Sequence, residues 1–279
     1  MSDKICWGIF REEAHSPGRE FDDSEVLRLT GKHLEALGFQ VNLRTPQEVV
    51  QTEERCAPFV FLMCERVAIL ERLQQWVHGG AVQVNSPTAV LNTYRHLMIP
   101  LFTRAGLSSP ASTLVSTHSS VGQRSRPCWV KRGDVHNTQD GDVMFARNGD
   151  EADLFLSRLA RRGIHQAVIQ EHVPGDLIKF YGVGGSDSRN HQEPWFRWFY
   201  HKDQQLAGHP FQPEDLKKLA RQAASILGLE IFGGDAIATR EGKLMLIDLN
   251  AWPSFALCRD EAAECIAAYL ADRFRRGQC

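Results

Sequence analysis

The sequence contains no C-x-x-C pair, no Gly-x-Gly-x-x-Gly, no excess of either charge and no apolar run of membrane-spanning length. Its seven cysteines, at positions 6, 56, 64, 128, 258, 265 and 279, are odd in number and scattered. That argues against a disulfide framework and a structural zinc site, and for thiols in a reducing compartment. Lys and Arg number 32 and Asp and Glu 34, a net charge of −2, so no bulk field draws the chain to nucleic acid or to an anionic membrane. Any anion must be held locally. The longest uncharged stretch, residues 105–123, is rich in Ser and Thr and broken by Pro110, unlike a bilayer span. Met1-Ser2-Asp3-Lys4-Ile5 lacks the charged-then-apolar order of a secretion signal, and the expected location is the cytoplasm.

What the chain does have is length and apolar content. Its 279 residues, 43% of them hydrophobic, are near twice a domain of ~150 residues. The first third alternates apolar runs with helical periodicities. Strands are expected at residues 5–10, 39–43, 58–63 and 81–84. The first intervening helix is capped at Asp22, Asp23 or Ser24 and closed by Gly38. The second starts with Thr45-Pro46-Gln47-Glu48, a cap, first-turn proline and capping-box acid in register. The third carries Ile69, Leu70, Leu73, Trp76 and Val77 inward. Such a series predicts a mostly parallel sheet with right-handed crossovers, whose ligands bind beyond the C-terminal strand ends. The loop after the first strand, with Arg11, Glu12, Glu13, His15 and Arg19, lies at such an end.

From Asn85 onward the pattern changes. Ser86-Pro87 begins a helix expected to carry Tyr94, Arg95 and His96 toward Gly106. Short strands follow at residues 112–116, 128–131, 143–145 and 167–171, with a helix from Asp150 between the last two. The final block has strands at 177–183 and 194–200, a helix over 213–227 closed by Gly228, two more strands, and a helix over about 261–274. Its basic end, Arg273, Arg275 and Arg276, reads as a solvated terminus. The expected class is α/β and α+β, divided into residues 1–95, 96–172 and 173–279.

The sharpest feature is the pair of segments 231–238 and 243–250, joined by the turn-forming Thr239-Arg240-Glu241-Gly242. They predict a hairpin. With its centre between Glu241 and Gly242, Asp235 falls opposite Asp248, and period two brings Asn250 onto the face of Asp248 while Ile247 and Leu249 turn to the core. Opposed carboxylates inside apolar strands repel unless a cation joins them, so a hard, oxygen-seeking ion such as Mg2+ is expected at Asp235, Asp248 and Asn250.

Gly233-Gly234-Asp235-Ala236-Ile237 followed by Ile247-Asp248-Leu249-Asn250-Ala251-Trp252-Pro253-Ser254 resembles the C-terminal magnesium motif of the ATP-grasp superfamily. Further stretches are similar to that family's parts in the same order. Trp129-Val130-Lys131 resembles the strand lysine that meets the α- and β-phosphates. Gln170, Glu171, His172 and Val173 resemble the hinge that holds adenine, with Asp176 in the place of a ribose-binding acid. Arg95 stands where a first phosphate-contacting cation is usual. The resemblance covers residues 85–255. It implies a parallel domain preceding a two-part clamp, with ATP and Mg2+ as cofactors. Two features depart from the pattern. Residues 132–142 hold two glycines and three aspartates where many relatives have a glycine-rich lid, and Arg95 replaces a frequent lysine.

The reaction implied is ligation of a carboxylate to an amine or thiol through an acyl phosphate, and Gly233 resembles the small residue of glutathione-synthetase-like and glutamate-adding ligases. Lys179 and Arg197 are the expected catalytic cations, with Lys202, Arg11 and Arg19 as further candidates. The expected partners are small-molecule carboxylate and amine substrates, such as an amino acid or peptide, with a homodimer as the candidate assembly. The alternative is a small-molecule kinase: residues 170–184 and 248–253, with Asp at position 248, resemble inositol trisphosphate 5/6-kinases, although a dense basic cluster for a phosphorylated substrate is lacking. A nucleotide-binding regulatory protein is a third class.

Overall fold

The computed structural model describes residues 4–53, 56–135, 138–184, 195–202 and 204–277. Pro194, His136 and Asn137, which fall in predicted segments, lie outside the described residues.

The first sheet is built from β1 (Ile5–Ile9), β2 (Gln40–Arg44), β3 (Phe59–Leu62) and β4 (Val82–Val84), all parallel, in the order β2-β1-β3-β4. Helices α1 (Glu20–Ala36), α2 (Pro46–Gln51) and α3 (Val67–His78) make the crossovers. Alternation within β3 divides the core: Val60 and Leu62 join Ile69, Leu70 and Leu73 of α3, whereas Phe59 and Phe61 join Val26, Leu27 and Leu34 of α1. The predicted capping box at Thr45 and Glu48 is present. Helix α1 begins at Glu20, earlier than its expected caps. Asp23 is instead buried within its first turn, where it accepts from Ser16 Oγ at 2.6 Å.

The single helix expected after Ser86 is two: α4 (Pro87–Leu91) and α5 (Arg95–Arg104). The break is tertiary in origin. Asn92 Nδ2 donates to the Leu227 carbonyl at 3.1 Å, and the Tyr94 hydroxyl donates to the Glu65 carbonyl while Tyr94 keeps an extended backbone. Arg95 thereby becomes the first residue of a new helix.

Strands β5 (Ser112–Ser116), β6 (Cys128–Arg132), β7 (Val143–Ala146) and β8 (Gln166–Glu171) form an antiparallel sheet ordered β5-β8-β6-β7, backed by α6 (Gly149–Arg161). The third sheet, β9 (Asp176–Val183), β10 (Phe196–Tyr200), β11 (Ile231–Ala238) and β12 (Leu244–Ala251), is antiparallel in the order β10-β9-β11-β12, with α7 (Pro213–Leu227) against one face. Gly228 ends α7 at φ 80°, a left-handed position that glycine takes without a Cβ penalty. The last helix, α8 (Arg259–Arg276), returns to the first sheet: Phe274 stacks on Phe59 at 4.8 Å, and α8 packs along α1. No helix among the described residues is long and apolar enough to cross a membrane.

Candidate active site

The register of the third sheet aligns Phe199, Lys179, Asp235 and Asp248 across its four strands, and Arg197, Tyr181, Gly233 and Asn250 in the next row. Paired residues share a face, as do residues two apart, so both rows look to one side. Ile178, Phe180, Phe232, Leu246 and Leu249 look to the other, into the core. Asp235 lies opposite Asp248, as the hairpin geometry predicts. Ile247, expected in the core, is half-buried outside it: the ladder steps from Asp235–Asp248 to Ala236–Leu246, so Ile247 is the extra residue of a bulge and Leu246 takes the core position. A Cβ at Gly233 would come within 2.6 Å of the Pro253 ring and 2.9 Å of Tyr181. Close approach of those two rings requires the missing side chain.

Each hairpin acid is matched by a cation. Lys179 Nζ donates to Asp235 Oδ1 at 2.7 Å, in a pair still about one-third exposed. Arg95 Nη2 donates to Asp248 Oδ2 at 2.7 Å, with the two side chains 3% and 10% exposed. The break between α4 and α5 makes this contact available, and Arg95 Nη1 also donates to the carbonyls of Arg132 and Val135 at 3.2 Å. Lys131 is buried beside the same acids. Burial pushes its ammonium down to about 8, opposed by Asp248 and Asp235 and reinforced by Arg95. Lys131, Arg95, Lys179, Asp235 and Asp248 therefore form one cluster. Among the described residues no group of three His, Cys, Asp or Glu side chains could cage a metal. Two carboxylates with the Asn250 amide do fit a Mg2+ ion that brings water and phosphate oxygens with it.

The hinge residues lie on the neighbouring sheet. Gln170 is buried and its amide donates to Ser112 Oγ at 3.2 Å. The Glu171 carboxylate meets Arg126 at 3.4 Å near solvent. His172 Nδ1 accepts from the Trp129 indole at 3.2 Å, and its ring meets Phe145 edge-on at 5.1 Å. The backbone N–H groups of Glu171 and His172 donate to the carbonyls of Ala111 and Pro127, so Val173 is the next hinge residue able to offer main chain to a base. Asp176 is not brought to the site. It is 1% exposed and accepts the Ala207 and His209 N–H groups at 2.7 Å. Burial alone would raise this carboxyl, and those donors bring it below the usual range. Asp176 anchors the 207–209 loop, a structural task that the sequence pattern does not distinguish from ribose binding. Arg197 stands on the edge strand, paired with Glu261 and lying over Trp195, two strands from Asp235.

Residues 132–142 close on a buried acid. Asp142 is 0% exposed and accepts from the Thr138 N–H at 2.7 Å, the Thr138 hydroxyl at 3.0 Å, the Gln139 N–H at 3.2 Å, Arg132 at 3.2 Å and Arg162 at 2.5 Å. Its role escapes sequence reasoning because all these donors converge only in the folded loop. Tyr181 was legible through period two from Lys179. Burial raises its hydroxyl to about 12, Cys258 adds to the rise, and Arg19 opposes it, which places the loop after β1 near this face.

No family model matches the sequence. A "Probable alpha-L-glutamate ligase" of Histophilus somni is 27% identical over 172 residues, 58% of this chain and 56% of that protein, so the match spans little more than half the relative's length. The D-alanine-D-alanine ligase from Coxiella burnetii superposes over 99% of this chain and 96% of its own, with a TM-score of 0.74 and 11% identity. The ATP-grasp ligase PsnB, complexed with a phosphomimetic variant of its minimal precursor, Mg and ADP, superposes over 98% of this chain and 99% of its own, with a TM-score of 0.61 and 17% identity.

Proposed function

On the ATP-grasp fold shared with these structures, we propose that the protein is a cytoplasmic, Mg-ATP-dependent ligase that joins a carboxylate to an amine and releases ADP and phosphate. The observation that carries this reading is the cluster in which Lys179, Asp235 and Asp248 stand in one row beside Lys131 and Arg95. It combines three cations for a triphosphate with an oxygen donor set for Mg2+. Lys131 and Arg95 would hold the nucleotide phosphates, Val173 would present backbone to the adenine, and Asp235, Asp248 and Asn250 would hold the ion. An ion held there would supply neutralisation of the triphosphate charge. Lys179 stabilises the transferred phosphoryl group.

The acid's carboxylate oxygen attacks the γ-phosphorus and ADP leaves. The amine then attacks the acyl carbon and phosphate leaves, with one proton lost from nitrogen. Tyr181, Phe199 and Arg197 continue the face beyond Lys179, and there the acid and amine are received. The named relatives favour amino acids or peptides as these substrates.

The test is product analysis across a panel of amino acids and dipeptides. ADP and phosphate should rise together, and only when acid and amine are both present. A stable phosphorylated product without free phosphate would replace the ligase with a kinase. Loss of turnover in Asp235→Asn, with the melting temperature held, checks the site itself.

A further inference from the structure

The open end of the metal hairpin is held by the first domain at both strands. Asn85, just after β4, donates from its amide to the Ile231 carbonyl at 2.7 Å and accepts the Glu230 and Ile231 N–H groups at 2.7 and 2.9 Å, pinning the start of β11. On the other strand Arg11, two residues after β1, donates through Nη2 to the carbonyls of Ala251 at 3.1 Å and Trp252 at 2.7 Å. These carbonyls directly follow Asn250. The chain turns sharply there, with Trp252 at φ 39° and Phe255 at φ 50°, left-handed values that cost an L residue and persist only where surroundings enforce them.

Arg11 is itself fixed on every side. Its guanidinium meets Asp23 at 3.3 Å and Glu65 at 3.2 Å and donates from Nε to the Met63 carbonyl at 3.3 Å, and its side chain is 8% exposed. Asp23 also accepts from Ser16, and Glu12 ties down the segment leading into α3 by accepting the Glu65 and Arg66 N–H groups at 3.0 Å. The loop is thus a rigid mount, and the Arg11 guanidinium reaches across to two carbonyls 240 and 241 residues away. Nη2 grips the two consecutive carbonyls while Nε and Nη1 hold the loop, so the planar guanidinium fixes the position of the strand end against β1 and α1.

We propose that Arg11 is a positioning residue for the metal site: by gripping the Ala251 and Trp252 carbonyls it sets where the Asn250 amide stands beside Asp248. This rests on the Mg-nucleotide reading above. The Arg11 guanidinium spends its nitrogens on protein groups, at Met63, Asp23, Glu65, Ala251 and Trp252. Its neighbour in the loop, Arg19, is exposed at the Tyr181 face and takes no part in this grip.

The measurement is Mn2+ binding by electron paramagnetic resonance, with ADP present, on the full chain. Arg11→Lys keeps the charge and loses the fork. Its Mn2+ affinity should fall about tenfold, the size of effect seen when a residue orienting a metal ligand is lost, while ADP binding in EDTA stays within twofold. Asp23→Asn leaves the guanidinium and removes one of its holds, and should weaken Mn2+ about threefold. Asp22→Asn, which loosens the Arg259 pair between the same two regions without touching Arg11, should leave Mn2+ affinity unchanged. If Arg11→Lys and Asp23→Asn melt earlier but bind Mn2+ like the wild type, Arg11 is only a structural tie and the proposal falls. If the wild type binds no Mn2+ with ADP, the nucleotide reading falls as well.

Discussion

The β11–β12 hairpin and the loop after Lys131 each bury an aspartate beside an arginine, yet they use it in opposite ways. In the loop, Asp142 is encircled by five donors from three side chains and two backbone amides. In the hairpin, Asp235 and Asp248 face each other across a ladder, each against one cation, Lys179 and Arg95. A carboxylate saturated by its own loop is a structural knot. Two carboxylates that face each other, each neutralised by one cation from another element, keep oxygen atoms that a Mg2+ ion would use on the proposed reading. The loop's backbone is stitched to α5, where Gly133 O accepts the His96 N–H at 2.9 Å.

The largest contrast is expected within the hairpin. Asp235→Asn should lower Mg-ATP turnover at least ~1,000-fold by weakening the ion's hold. Its melting temperature should stay within ~2 °C, because the Lys179 pair is part-exposed and contributes little. Asp248→Asn should lose turnover equally and also lose stability by about 3 kcal/mol, since it leaves the Arg95 guanidinium buried without its acid. Calorimetry on the two variants separates them. Equal melting temperatures would break the distinction between an exposed and a buried half of the site.

Arg95→Lys probes the bridge between the two regions. The guanidinium joins Asp248 to the Arg132 and Val135 carbonyls, a fork that an ammonium cannot reproduce. The expected outcome is a KM for ATP raised about tenfold, equivalent to ~1.4 kcal/mol, with kcat affected less. An unchanged KM would mean that the loop and the hairpin are not coupled through this residue.

The loop should respond in stability and not in chemistry. Burial works to raise Asp142, and the Thr138 amide with the Arg162 and Arg132 guanidiniums holds it down to about 2 instead. Folding is thus favoured while Asp142 is ionised: the contribution is present above pH ~4 and is lost as pH falls toward 2. Asp142→Asn should cost about 2 kcal/mol at neutral pH and flatten the acid limb of the stability curve, with turnover within a few-fold of wild type. A variant with normal stability and no turnover would reverse the assignment of roles.

Legibility in the sequence follows the same division. The limits of β11 could be read, and it lies where that reading put it, but the pairs nearest the turn, Ala238–Leu244 and Ala236–Leu246, centre on Glu241, so Asp235 meets Asp248 only because Ile247 bulges. The bulge at Ile247 could not, because two residues opposing one is a property of the ladder and leaves no mark in the apolar pattern. The break between α4 and α5 was equally hidden, since Asn92 and Tyr94 find their partners at Leu227 and Glu65 only after folding. Asp176 and Asp142 show the same limit: an acid next to a motif carries no sign of whether its partners are backbone amides or a ligand.

The smallest effect is expected at the hinge. Glu171 and Arg126 form a surface pair at 3.4 Å with side chains 34% and 81% exposed, an arrangement contributing at most a few tenths of a kcal/mol. The Glu171 N–H is already committed to Ala111, so on the proposed reading adenine would be met by the main chain around Val173. Glu171→Gln should therefore shift the melting temperature by less than ~1 °C and leave ATP affinity within about threefold, a change below ~0.7 kcal/mol. Isothermal titration with a non-hydrolysable ATP analogue gives the number directly. A tenfold loss would put the Glu171 side chain in contact with the nucleotide and move the hinge from backbone to side-chain recognition.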